Sequence, residues 1–271
     1  MKSAVTICLV PEAARGPFVF HGGLEAGLRA AAEVGFDGVE IFPAAASQLQ
    51  PHELRRLLAA HGLALAAVGT GAGRVVHGLD FMAADETARR RALEFAGALV
   101  DAAGELGAPA IVGSMQGRAA GDLPLGAARG RLADALDALA RRAATHGQVV
   151  LYEPLNRYET DLFNHLADAA AFLDAAGLGG VRLLADLFHM NIEEDDLGAA
   201  LAACGPGLGH VHWADSNRRA VGLGHTDVVG AVAALRRIGY AGYLSAEVLP
   251  LPTEAEAARQ SLASMRGHFP T

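Results

Sequence analysis

The sequence predicts an α/β fold, a single (β/α)8 TIM barrel formed by residues 1–271 as one domain. Three observations predict it. Eight short aliphatic runs alternate with longer stretches of helical period rich in Ala, Leu, Arg and Glu, the pattern of strands that are each followed by a helix. A length of 271 residues exceeds the common domain size but is ordinary for one closed barrel. The competing doubly wound sheet would carry a glycine-rich dinucleotide fingerprint after its first strand, and Val10-Pro11-Glu12 stands there instead.

Taken in order, the predicted strands are Ala4–Val10, Gly38–Phe42, Ala64–Gly69, Ala110–Ser114, Val149–Leu155, Arg182–Phe188, Gly209–Ala214 and Tyr243–Val248. The predicted helices are Gly23–Val34, Pro51–His61, Asp85–Leu106, Leu125–His146, Leu166–Ala176, Glu194–Cys204, Val228–Ile238 and Glu254–Arg266. Pro51 suits a first helical turn and Gly107 the end of a long helix, while Thr253 with Glu256 three residues on reads as a capping box. Gly35-Phe-Asp-Gly38 and Gly239-Tyr-Ala-Gly242 are similar helix-to-strand turns, a faint internal repeat. No linker, low-complexity tract or charge block divides the chain.

Composition narrows the function classes. Acidic residues outnumber basic ones by 30 to 22, a net charge of −8, so phosphate backbones and anionic membranes are repelled rather than attracted. Neither nucleic acid nor a membrane is an expected partner. The N-terminal apolar run stops at Pro11, too short for a signal peptide, and no run approaches membrane-spanning length. Cys8 and Cys204 lie far apart and fit no metal spacing, so a reducing, cytoplasmic location is expected.

In a closed barrel, chemistry is expected where strands end at the C-terminal face. The fifth strand leaves the core at Glu153, followed at once by Asn156, Arg157 and Glu159. A buried carboxylate must be paired or coordinated. For this strand alone, an ion pair between Glu153 and Arg157 explains it as well as any ligand would. The sixth strand places Asp186 and His189 at its exit, the seventh places His212 facing inward with Arg218 in the loop beyond, and the eighth ends on Glu247. Neighbouring strands lie roughly 4.8 Å apart, so inward groups at matching heights converge. Three carboxylates and an imidazole brought together repel one another unless a cation sits among them. That oxygen-rich set suits one divalent ion such as Mn²⁺, Mg²⁺ or Co²⁺ better than a thiolate-seeking one. Each residue alone has a structural explanation: Asp186 as a helix cap, a strand histidine as a hydrogen-bonded core residue. The latter is the expectation for His210, on the inward face one layer below His212.

With these residues assembled, the chain resembles the xylose-isomerase-like TIM-barrel superfamily of sugar isomerases and epimerases. It is most similar to ketose 3-epimerases of the D-tagatose and D-psicose 3-epimerase type. The likeness runs through Glu153-Pro-Leu-Asn-Arg-Tyr-Glu159, Asp186-Leu-Phe-His189-Met-Asn-Ile-Glu-Glu194, Gly209-His-Val-His212-Trp-Ala-Asp-Ser-Asn-Arg218 and Gly239-Tyr-Ala-Gly-Tyr-Leu-Ser-Ala-Glu247. In the first half it is a likeness of pattern, as at Gly35-Phe-Asp-Gly-Val-Glu-Ile41. The resemblance implies that Glu153, Asp186, His212 and Glu247 hold a metal, usually manganese. It implies that Glu159, His189 and Arg218 bind the ketose near its carbonyl, and that homodimers or homotetramers form. It further implies a metal-stabilised enediolate, with Glu153 and Glu247 as the acid/base pair working on opposite faces of one carbon.

The loops depart from that pattern. Pro11–Gly22 lacks the aromatic-rich sequence of ketohexose epimerases, and Gly113-Ser-Met-Gln-Gly-Arg118 is also unlike theirs. Arg118 and Arg74 are candidates to meet a carboxylate or phosphate on the substrate. Gly222-Leu-Gly-His-Thr-Asp227 is similar to the epimerase loop, its glycines permitting a tight turn. Aldose–ketose or hydroxypyruvate isomerisation, or elimination from an oxidised sugar, needs the same metal and base. Phosphodiester cleavage of the endonuclease IV type would need three zinc ions and histidines on early strands, and here His77 is expected in a loop while Ser114 stands on the fourth strand.

Overall fold

In the computed structural model of the chain, which describes residues 1–119, 121 and 123–269, the strands close into one barrel. They are β1 (Lys2–Cys8), β2 (Gly38–Phe42), β3 (Ala64–Gly69), β4 (Ala110–Val112), β5 (Val150–Tyr152), β6 (Val181–Asp186), β7 (Leu208–His212) and β8 (Tyr243–Ala246). Each pairs in parallel with the next, and β8 returns to β1 through Lys2 opposite Tyr243.

Helices α1 (Leu24–Val34), α2 (Pro51–His61), α3 (Ala72–His77), α4 (Glu86–Glu105), α5 (Leu125–Ala144), α6 (Leu166–Ala175), α7 (Leu187–Glu193), α8 (Leu197–Cys204), α9 (Val228–Arg237) and α10 (Glu254–His268) join them. Pro51 opens α2, and the Thr253 hydroxyl accepts from the Glu256 amide at 3.2 Å to cap α10. Gly107, in the left-handed region at φ 77°, follows the end of α4. Among the described residues, no helix is long and apolar enough to cross a membrane.

Two short helices stand where the sequence predicts other structure. Helix α3 ends on His77, which is therefore not a loop residue. Helix α7 begins at Leu187, so β6 stops at Asp186 and does not run to Phe188. Strand β5 stops at Tyr152, short of the predicted Leu155, because Pro154 has no N–H to extend the ladder. Both corrections move the strand ends to the site residues themselves.

Outward side chains such as Ile7, Val39 and Ile41 join Leu28 of α1 in the main core, each worth about 1.5–3 kcal/mol when fully buried. Inside the barrel, Ala67, Ile111, Leu151 and Leu184 form a separate apolar plug. Side chains alternate faces along a strand, so a residue two positions past an inward one is inward again, one layer higher. Leu151, Leu184, His210 and Ser245 lie below; two residues later, Asp186 and His212 end β6 and β7 while Glu153 and Glu247 stand just past the ends of β5 and β8.

Candidate metal centre

The four predicted residues converge. Glu153, Asp186, His212 and Glu247 each offer one ligand atom, and these atoms lie within 4.8 Å of one another. His212 Nδ1 is 3.3 Å from Glu153 Oε1, 3.6 Å from Asp186 Oδ2 and 3.5 Å from Glu247 Oε2. Asp186 serves both readings of it at once. Its Oδ1 accepts from the Phe188 amide at 2.8 Å and caps α7, while Oδ2 faces the other three residues. Glu153 is seated against Gly113, where a Cβ would come within 2.3 Å of Glu153 Oε2, so a larger residue there would push the carboxylate from its place.

The donor atoms fit a cation. Glu153 Oε1, Asp186 Oδ2 and His212 Nδ1 are buried without a hydrogen-bond partner. One such atom costs about 1–3 kcal/mol, and here three are aimed at one point. Burial pushes the Glu153 carboxyl up, and pushes Glu247 up to about 7 against the pull of His212 and Arg218. Burial works the same way on Asp186, but the Arg218 guanidinium overcomes it and holds that carboxyl well below the usual range. Arg218 Nη2 contacts Glu247 and lies 3.3 Å from Asp186 Oδ2. With all three carboxylates ionised, the Arg218 guanidinium offsets one charge and a divalent ion would offset the other two.

Glu40, in the middle of β2, completes the support. Its carboxylate lies 3.0 Å from His210 Nε2 and 3.3 Å from His212 Nε2. Against burial, the surrounding carboxylates raise the His212 imidazole well above its usual range. With its Nε2 proton held by Glu40, Nδ1 would be the nitrogen offered to an ion, the arrangement by which a carboxylate fixes a metal-ligating histidine. In Glu40→Gln, the negative charge that holds both Nε2 protons is lost, and the NH₂ that replaces one oxygen can accept from neither ring. We expect Mn²⁺ affinity, read by calorimetric titration, to fall about 10- to 100-fold. Unchanged affinity would show that Glu40 is indifferent to the centre.

On the pocket side, Asn156 Nδ2 lies 2.7 Å from His189 Nδ1. The orientation of its amide is set by the Tyr158 N–H on Oδ1 at 3.0 Å and by its own bond to Glu159 Oε1 at 3.1 Å. His189 therefore accepts at Nδ1 and carries its proton on Nε2, 3.6 Å from Asp186 Oδ2. Burial, aided by Arg218 against Asp186, lowers the imidazole to about 3 and keeps it neutral. A cavity of about 340 Å³ opens onto these groups. Its apolar lining includes Phe18, stacked on Phe42 at 4.5 Å, with Val75, Ile111 and Leu155.

The family model of the xylose isomerase-like TIM barrel matches residues 28–268. The chain belongs to that family. Over 139 residues it is 41% identical to a 3-dehydro-D-guloside 4-epimerase of Escherichia coli K12, covering 51% of this chain and 53% of the relative. The chain thus spans about half the length of that relative. It is 32% identical over 230 residues to an L-ribulose 3-epimerase of Mesorhizobium japonicum, covering 83% of this chain and 75% of that one. The apo crystal structure of 3-keto-D-glucoside 4-epimerase from E. coli superposes with a TM-score of 0.80 at 29% identity, over 98% of this chain and 100% of that one.

Several expectations need correction within this family barrel. Arg157 does not pair with Glu153: its Nε meets Glu193 Oε1 at 2.9 Å and its amide donates to the same oxygen at 2.6 Å, because Arg157 points outward along the rim toward α7. Arg74 is bound to Asp80, and Arg118 donates to the carbonyls of Arg157 and Tyr158 at 3.3 and 3.0 Å. Neither lines the cavity; Glu12 and Arg15, in the loop after β1, do. His210 is the hydrogen-bonded core histidine the sequence suggests, with Glu40 as its partner. Glu40 itself went unread. Its signal is a charge between Val39 and Ile41 on a buried strand, but its partners lie 170 and 172 residues away.

Proposed function

We propose that the chain is a divalent-metal-dependent sugar epimerase that inverts a carbon beside a carbonyl, C3 of a ketose or the equivalent position of a ketose derivative. The observation that carries this is the set of unpartnered buried atoms on Glu153, Asp186 and His212, converging with Glu247 at the floor of a sugar-sized cavity. Glu153, Asp186, His212 and Glu247 would hold one ion, Mn²⁺ before Mg²⁺ or Co²⁺. Bound there, a divalent ion supplies the Lewis acidity that makes a hydrogen beside a ketone removable.

The remaining work falls to side chains. Glu153 and Glu247 leave the barrel on β5 and β8, so they approach a sugar on the floor from different sides. One takes the proton from the carbon and the other returns a proton to the opposite face, which inverts it. Glu159, His189 and Arg218 would orient the carbonyl end, the neutral His189 donating from Nε2 and Arg218 from its guanidinium. The names of the relatives share this chemistry: a 3-keto sugar inverted at C4 and a 2-ketose inverted at C3 both react next to the carbonyl. The two buried free cysteines fit a reducing, cytoplasmic setting.

Solvent-deuterium incorporation across a panel of ketoses, 3-keto glycosides, hydroxypyruvate and ketose phosphates, with Mn²⁺ present, tests the reading. Label at the carbon next to the carbonyl, accompanied by its epimer, is expected. Label at two carbons with aldose formation would make it an isomerase; loss of water without an epimer, a lyase; no exchange with any member, neither.

A further inference from the structure

The loop between β7 and α9 is organised by a buried carboxylate that does not line the cavity. Asp215 is 1% exposed and accepts five backbone N–H groups. Oδ1 takes Ser216 at 2.7 Å and Thr226 at 3.1 Å; Oδ2 takes Gly222 at 2.8 Å, Leu223 at 3.1 Å and Gly224 at 2.9 Å. Successive amides around one anion make a tight nest. Gly222 turns at φ 99°, and a Cβ on Gly224 would lie 2.3 Å from Asp215 Oδ1, so the approach needs glycine there.

Arg218 sits at the apex of this loop. At φ 57° it is the non-glycine residue with left-handed backbone among the described residues, a conformation held only where the surroundings enforce it. The surroundings are again Asp215: its carbonyl accepts from the Arg218 amide at 2.8 Å, and its own amide donates to the Arg219 carbonyl at 2.9 Å. On the other side, the Arg218 carbonyl accepts from the Leu249 amide at 2.7 Å, tying the apex to the exit of β8 beside Glu247. So held, the guanidinium lies over the Phe188 ring at 4.5 Å and reaches Glu247 and Asp186.

We propose that Asp215 is the positioning residue for Arg218: its carboxylate gathers residues 216–226 into one clamp, and the clamp aims the guanidinium at the reacting end of the sugar. The inference rests on the reading of Arg218 as a substrate-binding residue. Burial tends to raise the Asp215 carboxyl, but the amide donors hold it down at about 2. A depressed acid stabilises the fold above its unfolded value, so the clamp is complete above about pH 4 and is lost as the pH falls toward 2.

Asp215→Asn tests it, because one amide oxygen cannot satisfy donors on both sides and the NH₂ opposes the rest. Gly224→Ala strains the same clamp from the opposite side with the carboxylate intact. Two readouts need no substrate. In both variants the amides of residues 222–226 lose hydrogen-exchange protection, and Arg218, located by peptide mapping, becomes reactive toward phenylglyoxal while the thermal melt stays cooperative. The third readout is a double-mutant cycle on deuterium exchange with the ketose that the wild type turns over best. Asp215→Asn lowers kcat about 10²-fold in the wild type, as for a misplaced group. In an Arg218→Ala background it lowers kcat less than about threefold, since the group it aims is gone. Retained protection, an unreactive Arg218, or losses that multiply in the double variant would each overturn the proposal. A wild type with no exchange on any sugar would instead refute the epimerase reading, with the labelling results still deciding whether Asp215 sets Arg218.

Discussion

Glu247→Gln, saturated with Mn²⁺, is expected to lose nearly all epimer formation while deuterium still enters only one of the two epimers of the substrate. Removing one member of an acid/base pair costs about 10²- to 10⁴-fold in turnover. The pattern is more telling than the size. If Glu153 and Glu247 serve opposite faces of one carbon, the surviving glutamate still removes and returns a proton on its own face. Glu153→Gln should then label the other epimer. Labelling of both epimers by a single variant would mean that one residue serves both faces, and the two-glutamate account would fail. Glu247 also contacts Arg218, so each variant is compared at matched metal saturation rather than matched metal concentration.

We expect chelation to abolish turnover and Mn²⁺ to restore it in proportion to the fraction bound. The same ion should stabilise the fold. Three buried unpartnered atoms and an excess of negative charge on the barrel floor are relieved together. An ion at a hundredfold excess over its Kd contributes about 2.7 kcal/mol, a rise in melting midpoint of about 5–10 °C for a domain of this size. A melt insensitive to Mn²⁺, with activity unaffected by chelator, would leave the four residues without the role assigned to them.

The barrel was legible because its signal is periodic and repeated: aliphatic runs and helical stretches alternate along the whole chain, and no single boundary matters. The site was legible for a narrower reason. Glu153, Asp186, His212 and Glu247 each end an inward-facing row, and a charge at that place is hard to explain by stability. Boundaries failed where two signals compete. Leu187-Phe188-His189-Met190 is apolar enough to continue a strand, but Asp186 caps a helix there. Partners failed where they are distant or where a residue has two outlets. Nothing local says that Glu40 meets histidines of β7, or that Arg157 turns away from Glu153 to Glu193. Asp215 lay in plain view within Ala214-Asp-Ser-Asn-Arg218, yet a loop aspartate has no period to betray it; only five amides pointing at it do.

The most direct test of the centre is a calorimetric Mn²⁺ titration of metal-free protein, wild type beside His212→Ala and Asp186→Asn. One ion per chain in the wild type, weakened at least about tenfold in both variants, is the predicted result. No binding, three ions per chain, or a single ion bound equally well by all three proteins would contradict it.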